Sequence, residues 1–164
     1  MRKIMTILAV LMLLTGCGQG KDVEDDGGNG MKNPLVPYDT LEDINKKVEG
    51  NLVKPAIMGV DNELFYVISD KVAEYRFEIN GNKCCFRYAK VKDEDISGFY
   101  IGGKTAFPSE DVEENIEYAV DGDTRLARWF DAKGQYVFTY TAAEMDDDTF
   151  RNIAKELSSL TIVE

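Results

Sequence analysis

Val72-Ala-Glu-Tyr-Arg-Phe-Glu-Ile-Asn-Gly-Asn-Lys-Cys-Cys-Phe-Arg-Tyr-Ala89 is the stretch whose reading decides the fold. Asn80-Gly81 sits between two runs of alternating character. A two-residue hairpin turn needs positive φ at both central positions, which Asn and Gly tolerate best. Such a turn sets one register: Ile79 opposite Asn82, Glu78 opposite Lys83, Phe77 opposite Cys84, Arg76 opposite Cys85, Tyr75 opposite Phe86, Glu74 opposite Arg87 and Ala73 opposite Tyr88. One face then collects Ala73, Tyr75, Phe77, Cys84, Phe86 and Tyr88. The other pairs Glu78 with Lys83 and Glu74 with Arg87, and places Cys85 outside. A slip of one residue would invert every face, so the two patterns support each other.

Working outward, Glu63 to Ser69 reads as a buried strand before the hairpin. Ile116 to Val120, Arg125 to Phe130 and Gln135 to Thr141 follow it, separated by Asp-Gly-Asp and Asp-Ala-Lys-Gly turns. Connections this short join antiparallel neighbours. Thr40 opens a helix with Leu41, Ile44 and Val48 on one side. Asp146 to Asp148 open another, where Phe150, Ile153, Ala154, Leu157 and Leu160 recur at helical spacing. The expected class is α+β, an antiparallel β-meander sheet with an N-terminal and a C-terminal helix packed on one face.

The chain begins Met-Arg-Lys, continues with an apolar run from Ile4 to Leu14, and then reads Thr-Gly-Cys17. That run is too short for a permanent span, which takes about 20 residues, and the layout is that of a secretory leader. Leu14-Thr15-Gly16-Cys17 resembles the bacterial lipoprotein signal, the lipobox. The resemblance implies removal of residues 1–16 and a diacylglycerol thioether on Cys17, and two acyl chains suffice for stable attachment. Residues 17–33 are rich in glycine and carboxylates and have almost nothing to bury, as expected of a flexible acidic tether. Residues 34–164 are then a single extracytoplasmic domain. The expected location is the outer side of the cell membrane, held by lipid.

The net charge of −11 disfavours nucleic acid and anionic lipid heads as partners. The sequence contains no histidine, which removes the usual general base, the commonest metal ligand and every Ser-His or Cys-His pair. Gly98-Phe-Tyr-Ile-Gly-Gly-Lys-Thr105 matches the phosphate-loop pattern, with Gly98, Gly103, Lys104 and Thr105 in the required places. A working loop of this kind feeds a helix whose first amides face the phosphates. Here Ala-Phe-Pro108 follows and opposes a helix, so nucleotide binding is not expected. The acidic runs Lys92 to Asp95, Ser109 to Glu114, Asp121 to Asp123 and Asp146 to Asp148 lack the spacing of the twelve-residue calcium loop. They read as solvated charge, a turn and a helix N-terminus. No metal, cofactor or catalytic residue is expected. Trp129 and Tyr66, Tyr75, Tyr88, Tyr118, Tyr136 and Tyr140 read mainly as sheet-face packing, with a binding groove as the other possibility.

Several segments together resemble the bacterial extracytoplasmic family catalogued as domain of unknown function 4367. They are Phe86-Arg-Tyr-Ala-Lys90, Glu94-Asp-Ile-Ser-Gly98, Leu126-Ala-Arg-Trp129, Tyr136-Val-Phe-Thr139 and the closing helix after Asp146 to Asp148. The resemblance spans most of residues 38–160 and rests on order and spacing. It implies a small secreted or membrane-attached α+β domain, often in a lipoprotein, and carries no activity. The Gly102-Gly103 segment and the adjacent cysteines depart from it. The expected function is a lipid-anchored, non-catalytic domain that binds a protein, peptide or envelope component. The alternative is a carrier or sensor of apolar ligands, and the third is a hydrolase working through carboxylates.

The anchor is directly testable. Cys17→Ser is expected to move the protein from the membrane to the soluble fraction or leave it unprocessed. Radiolabelled fatty acid on the serine variant would contradict the assignment.

Overall fold

A computed structural model describes residues 34–98, 100–101, 104–105, 111–142 and 147–162. The leader, Cys17, the tether, Gly102-Gly103, Pro108, Ser109-Glu110 and Asp146 lie outside the described residues.

Asn80 and Gly81 adopt φ of 52° and 80°, and the hairpin closes around them in the register that the turn requires, from Ile79 opposite Asn82 to Ala73 opposite Tyr88. Its strands are β3 (Val72–Ile79) and β4 (Asn82–Ala89). Preceding it are β1 (Leu35–Tyr38), α1 (Leu41–Val48) and β2 (Val60–Ile68). After it come a small separate pair, β5 (Tyr100–Ile101) and β6 (Lys104–Thr105), then β7 (Asp111–Glu113), β8 (Ile116–Asp121), β9 (Thr124–Phe130), β10 (Gln135–Thr141) and α2 (Asp147–Thr161).

The α+β meander expected from the sequence is overturned. Among the described residues the structure is mostly one open, eight-stranded antiparallel sheet, with 46% strand against 20% helix and two helices. The strands run in the order β1-β2-β3-β4-β10-β9-β8-β7. Two meanders therefore meet at a central seam where β10 pairs with β4, Phe138 facing Phe86 and Tyr136 facing Tyr88. The chain leaves the middle of the sheet after β4, crosses to the far edge at β7 and returns strand by strand. The physical reason lies in β10: six of its seven residues are buried, so both of its faces are covered and it belongs at the centre. The missed strands are short and atypical. β1 contains Pro37, which suits an edge strand, and β7 is Asp-Val-Glu.

The two helices lie on the face carrying the hairpin's aromatic residues. Thr40 caps α1, its Oγ1 accepting from the Asp43 amide at 3.1 Å, and Ile44 and Val48 are buried. Phe150, Ile153, Ala154 and Leu157 of α2 enter the same core. Leu160 does not: it is 46% exposed, and Thr161 is buried in its place. Thr161 tolerates burial because its Oγ1 accepts from Trp129 Nε1 at 3.0 Å and donates to Leu157 O at 2.9 Å. Rings fill the interior. Phe65, Tyr75, Phe77, Phe138 and Phe150 stack in sequence, while Phe86, Trp129, Tyr136 and Tyr88 form a second row.

The opposite face is not the solvent face that the sequence suggested. Glu74 is wholly buried, gripped by Arg87 Nε at 2.6 Å and by Arg76 Nη2 at 2.5 Å. Arg87 also donates to the carbonyls of Ile96 and Ser97, and Gln135 Nε2 donates to Val91 O at 2.7 Å and Glu94 O at 2.6 Å. Residues 91–97 are thereby strapped across the sheet, with Ile96 packed on Ala89 and Val137. Gly98 takes φ of 75°, and a Cβ there would meet Arg87 Nη1 at 2.4 Å, so only glycine lets the strap turn away.

Cys85 consequently sits half-buried beside Arg76, Arg87 and Glu74. Burial pushes its thiol up to about 12, with Arg87 opposing, and burial also raises that of Cys84. Both thiols are expected to resist iodoacetamide at pH 8 in the native protein and to react after unfolding in urea; mass spectrometry decides, and selective labelling of either would contradict it. Phe77→Ala, which truncates a side chain only 2% exposed, is expected to cost about 3 to 5 kcal/mol in urea unfolding.

Candidate functional site

The phosphate-loop segment can be placed in part. Lys104 and Thr105 form β6 and pair with Ile101 and Tyr100, so the described residues put strand where the motif requires the start of a helix. The acidic runs are engaged in local structure. Asp95 Oδ1 accepts from the Ser97 amide at 2.8 Å as a turn, and Asp147 holds Arg125 at 2.8 Å at the start of α2. Asp111, Glu113 and Glu114 meet Arg151 and Lys155 of α2, which clamps the edge strand β7. Among the described residues no three histidine, cysteine or carboxylate side chains converge to hold a metal ion, and no helix is long and apolar enough to cross a membrane.

The aromatic residues divide. Tyr75 donates to Glu63 Oε2 at 2.6 Å and lies in the core; Trp129 and Tyr140 are buried too. Tyr66 carries the Arg76 guanidinium at 4.9 Å over its ring, and Tyr118 carries that of Arg151 at 4.2 Å. Tyr88 and Tyr136 are different, because they line a cleft of about 300 Å³ together with Glu49, Gly50, Asn51, Asp131, Lys133 and Thr161.

This cleft is assembled where four chain segments end. Helix α1 stops at Glu49, whose left-handed φ of 52° turns the chain, with the Gly50 amide closing back on Asn45 O at 2.8 Å. Helix α2 ends at Thr161, and its carbonyl accepts from Asn51 Nδ2 at 3.4 Å. The β9–β10 turn is folded by Asp131, whose Oδ1 accepts from the amides of Lys133 at 2.7 Å and Gly134 at 2.6 Å. Strand β4 delivers Tyr88.

Two glycines fit closely around the Tyr88 ring. A Cβ on Gly50 would stand 2.5 Å from its Cδ1, and one on Gly134 would stand 2.9 Å from its Cε2 and 2.3 Å from Ala89 O. The ring is thereby pinned between backbones, with Tyr136 packed beside it at a centroid distance of 4.9 Å. Tyr136 Oη donates to Asp131 Oδ2 at 3.2 Å. Among the described residues the Tyr88 hydroxyl, on a residue 1% exposed, finds no hydrogen-bond partner. Burying a hydroxyl without a partner costs about 1 to 3 kcal/mol; among the described residues the Tyr118 hydroxyl and Gln135 Oε1 are in the same position. Burial first, and then the negative charge of Asp131 and Glu49, raise the Tyr88 pKa above its ordinary 10.0. Burial and Asp131 do the same to Tyr136.

The sequence singled out both tyrosines as packing or groove residues but missed Gly50, Glu49, Asp131 and Gly134. The signal for Asp131 and Gly134 was the turn Asp-Ala-Lys-Gly itself. For Gly50, nothing local indicates the ring it must accommodate.

No family model matches the chain, and no curated protein or solved structure matches it.

Phenols with raised pKa values contribute stability that is complete below the unfolded value near 10 and declines as pH rises beyond it. Tyr88 and Tyr136 are therefore expected to stay neutral when exposed tyrosines ionise, and to titrate only with unfolding. Ultraviolet difference spectra with circular dichroism between pH 9 and 13 check this; ionisation of every tyrosine near pH 10 in the folded state would contradict it.

Proposed function

We propose that this protein is a lipid-tethered binding module of the bacterial cell envelope, of the kind that its resemblance to domain of unknown function 4367 implies. Cys17 carries the diacylglyceryl anchor, residues 18–33 act as the spacer, and the folded part binds an envelope component in the Tyr88 cleft. The observation that carries this reading is the cleft itself: a pinned aromatic ring, its buried hydroxyl unpartnered among the described residues, at the junction of two helix ends and a turn. Concave sites with a few convergent polar groups on an otherwise apolar wall are where small ligands bind.

Binding without chemistry is the favoured form. The chain has no histidine, burial raises the pKa of its two described thiols, and Glu74 is held by two arginines, Glu63 by Lys54 and Tyr75, and Asp131 by its own turn and Tyr136. The carrier reading has less support, since stacked rings occupy the space between sheet and helices where an acyl chain would lie.

The test is an amide NMR titration of the ¹⁵N-labelled full chain with a solubilised digest of bacterial envelope. Shifts concentrated at Gly50, Tyr88, Lys133 and Gly134 are expected. Shifts confined to another surface, or none, would overturn the assignment of this cleft.

A further inference from the structure

Asn80-Gly81 closes the hairpin on which the sheet is built, and it is also a reactive pair. A glycine after an asparagine has no Cβ to shield its amide nitrogen from the asparagine side chain. Once that nitrogen has given its proton to hydroxide, it attacks Asn80 Cγ. The N–Cγ bond forms, the Cγ–Nδ2 bond breaks, and Nδ2 takes a proton from water and leaves as ammonia. Water then opens the five-membered imide. Cleavage between Cγ and the nitrogen leaves an aspartate; cleavage between the backbone carbonyl carbon and the nitrogen leaves an isoaspartate, whose main chain runs through Cβ and Cγ. One water is consumed in net and one ammonia released, with no oxidant or reductant.

Burial does not protect this pair. Asn80 and Gly81 are both exposed, so water and hydroxide reach them. The backbone torsion protects it instead. Their φ values of 52° and 80° are those of a type I′ turn. Ring closure needs Cβ and the Gly81 nitrogen eclipsed about the Asn80 Cα–C bond, whereas ψ at the first central residue of such a turn is about +30°, which leaves the two about 150° apart. The torsion is held from two sides. Ile79 pairs with Asn82 across the turn, and the Asn80 amide donates to Gly59 O at 3.2 Å. Asn80 Oδ1 also fills the space beside Gly59, 2.5 Å from where a Cβ there would stand.

We propose that Asn80-Gly81 is a latent deamidation site: the closed turn suppresses the reaction, opening of the hairpin permits it, and the isoaspartate product bars the return. Isoaspartate adds one carbon to the main chain inside a two-residue loop, so β3 and β4 can no longer meet in register, and the template for β10 is lost. Aspartate keeps the ordinary main chain and tolerates the left-handed region. Unfolding of this protein thus becomes irreversible at a rate set by how often the hairpin opens.

The full chain is incubated at pH 8 with reductant, in buffer and in urea, and position 80 is followed by peptide mapping with isoaspartate-specific fragmentation. Deamidation is expected in urea and is expected to be about a hundredfold slower in buffer, where it waits on the opening of a strand pair inside the sheet. Phe77→Ala, which loosens the same hairpin, is expected to raise the rate in buffer at least about tenfold. If that variant does not fold, the ratio between buffer and urea in the parent decides alone. On dilution from urea, chains with aspartate are expected to refold and chains with isoaspartate to stay unfolded. Reaction of Asn80 in buffer at close to its urea rate, or no reaction in urea, would overturn the proposal. A rate in buffer that a folded Phe77→Ala leaves unchanged would place the reaction in the closed turn and overturn it too, as would isoaspartate chains that refold with the parent's stability.

Discussion

The pairing of β4 with β10 is the constraint on which the rest of the structure depends. It joins residues such as Cys85 and Thr139, 54 positions apart, and without it the chain would be two separate meanders, each with a bare hydrophobic edge. With it, Phe86, Tyr88, Tyr136 and Phe138 come side by side at the middle of the sheet and the aromatic rows become continuous. A contact of that sequence separation is entropically slow to form. The local Asn80-Gly81 hairpin offers a preformed template on which β10 can dock.

Once the seam exists, the second face cannot remain a solvent face. β10 places Gln135, Val137 and Thr139 there, all buried, and the crossover after β4 has to pass over them. Arg87 is the device that holds it. One guanidinium neutralises buried Glu74 and also ties down two carbonyls of the strap. Taking such a carboxylate out of water is expensive unless its charge is met; here Arg87 supplies charge and a hydrogen bond at Oε2, and Arg76 supplies a second positive charge against Oε1. The ion pair that looked like a surface decoration is a buried fastener between sheet and crossover.

The candidate site follows from the same geometry. Tyr88 lies near the end of β4 and Tyr136 near the start of β10, so the seam brings the two phenols together at one end of the sheet. There the C-termini of both helices and the Asp131 turn also arrive. Gly50 and Gly134 permit the close approach, and the Tyr88 phenol is left without a partner among the described residues. Strained or unsatisfied groups that a fold could easily have avoided are where function is most economically sought.

Residues near each other in sequence determined what local physics can decide. Asn80-Gly81 determined a turn and hence a register, because only positive φ closes it. Thr40 determined where α1 starts, because its hydroxyl meets a free amide. The Val72 to Ala89 alternation determined which side chains share a face. The class of the fold, the central place of β10, the burial of Glu74, the half-burial of Cys85, the exchange of Leu160 for Thr161 and the assembly of the Tyr88 cleft were decided only in three dimensions. Each depends on a partner distant in the chain, such as Arg87 with Ile96, Trp129 with Thr161 or Gly50 with Tyr88. No periodicity records such a partner, because its contribution is the removal of water from a group whose own sequence neighbours leave exposed.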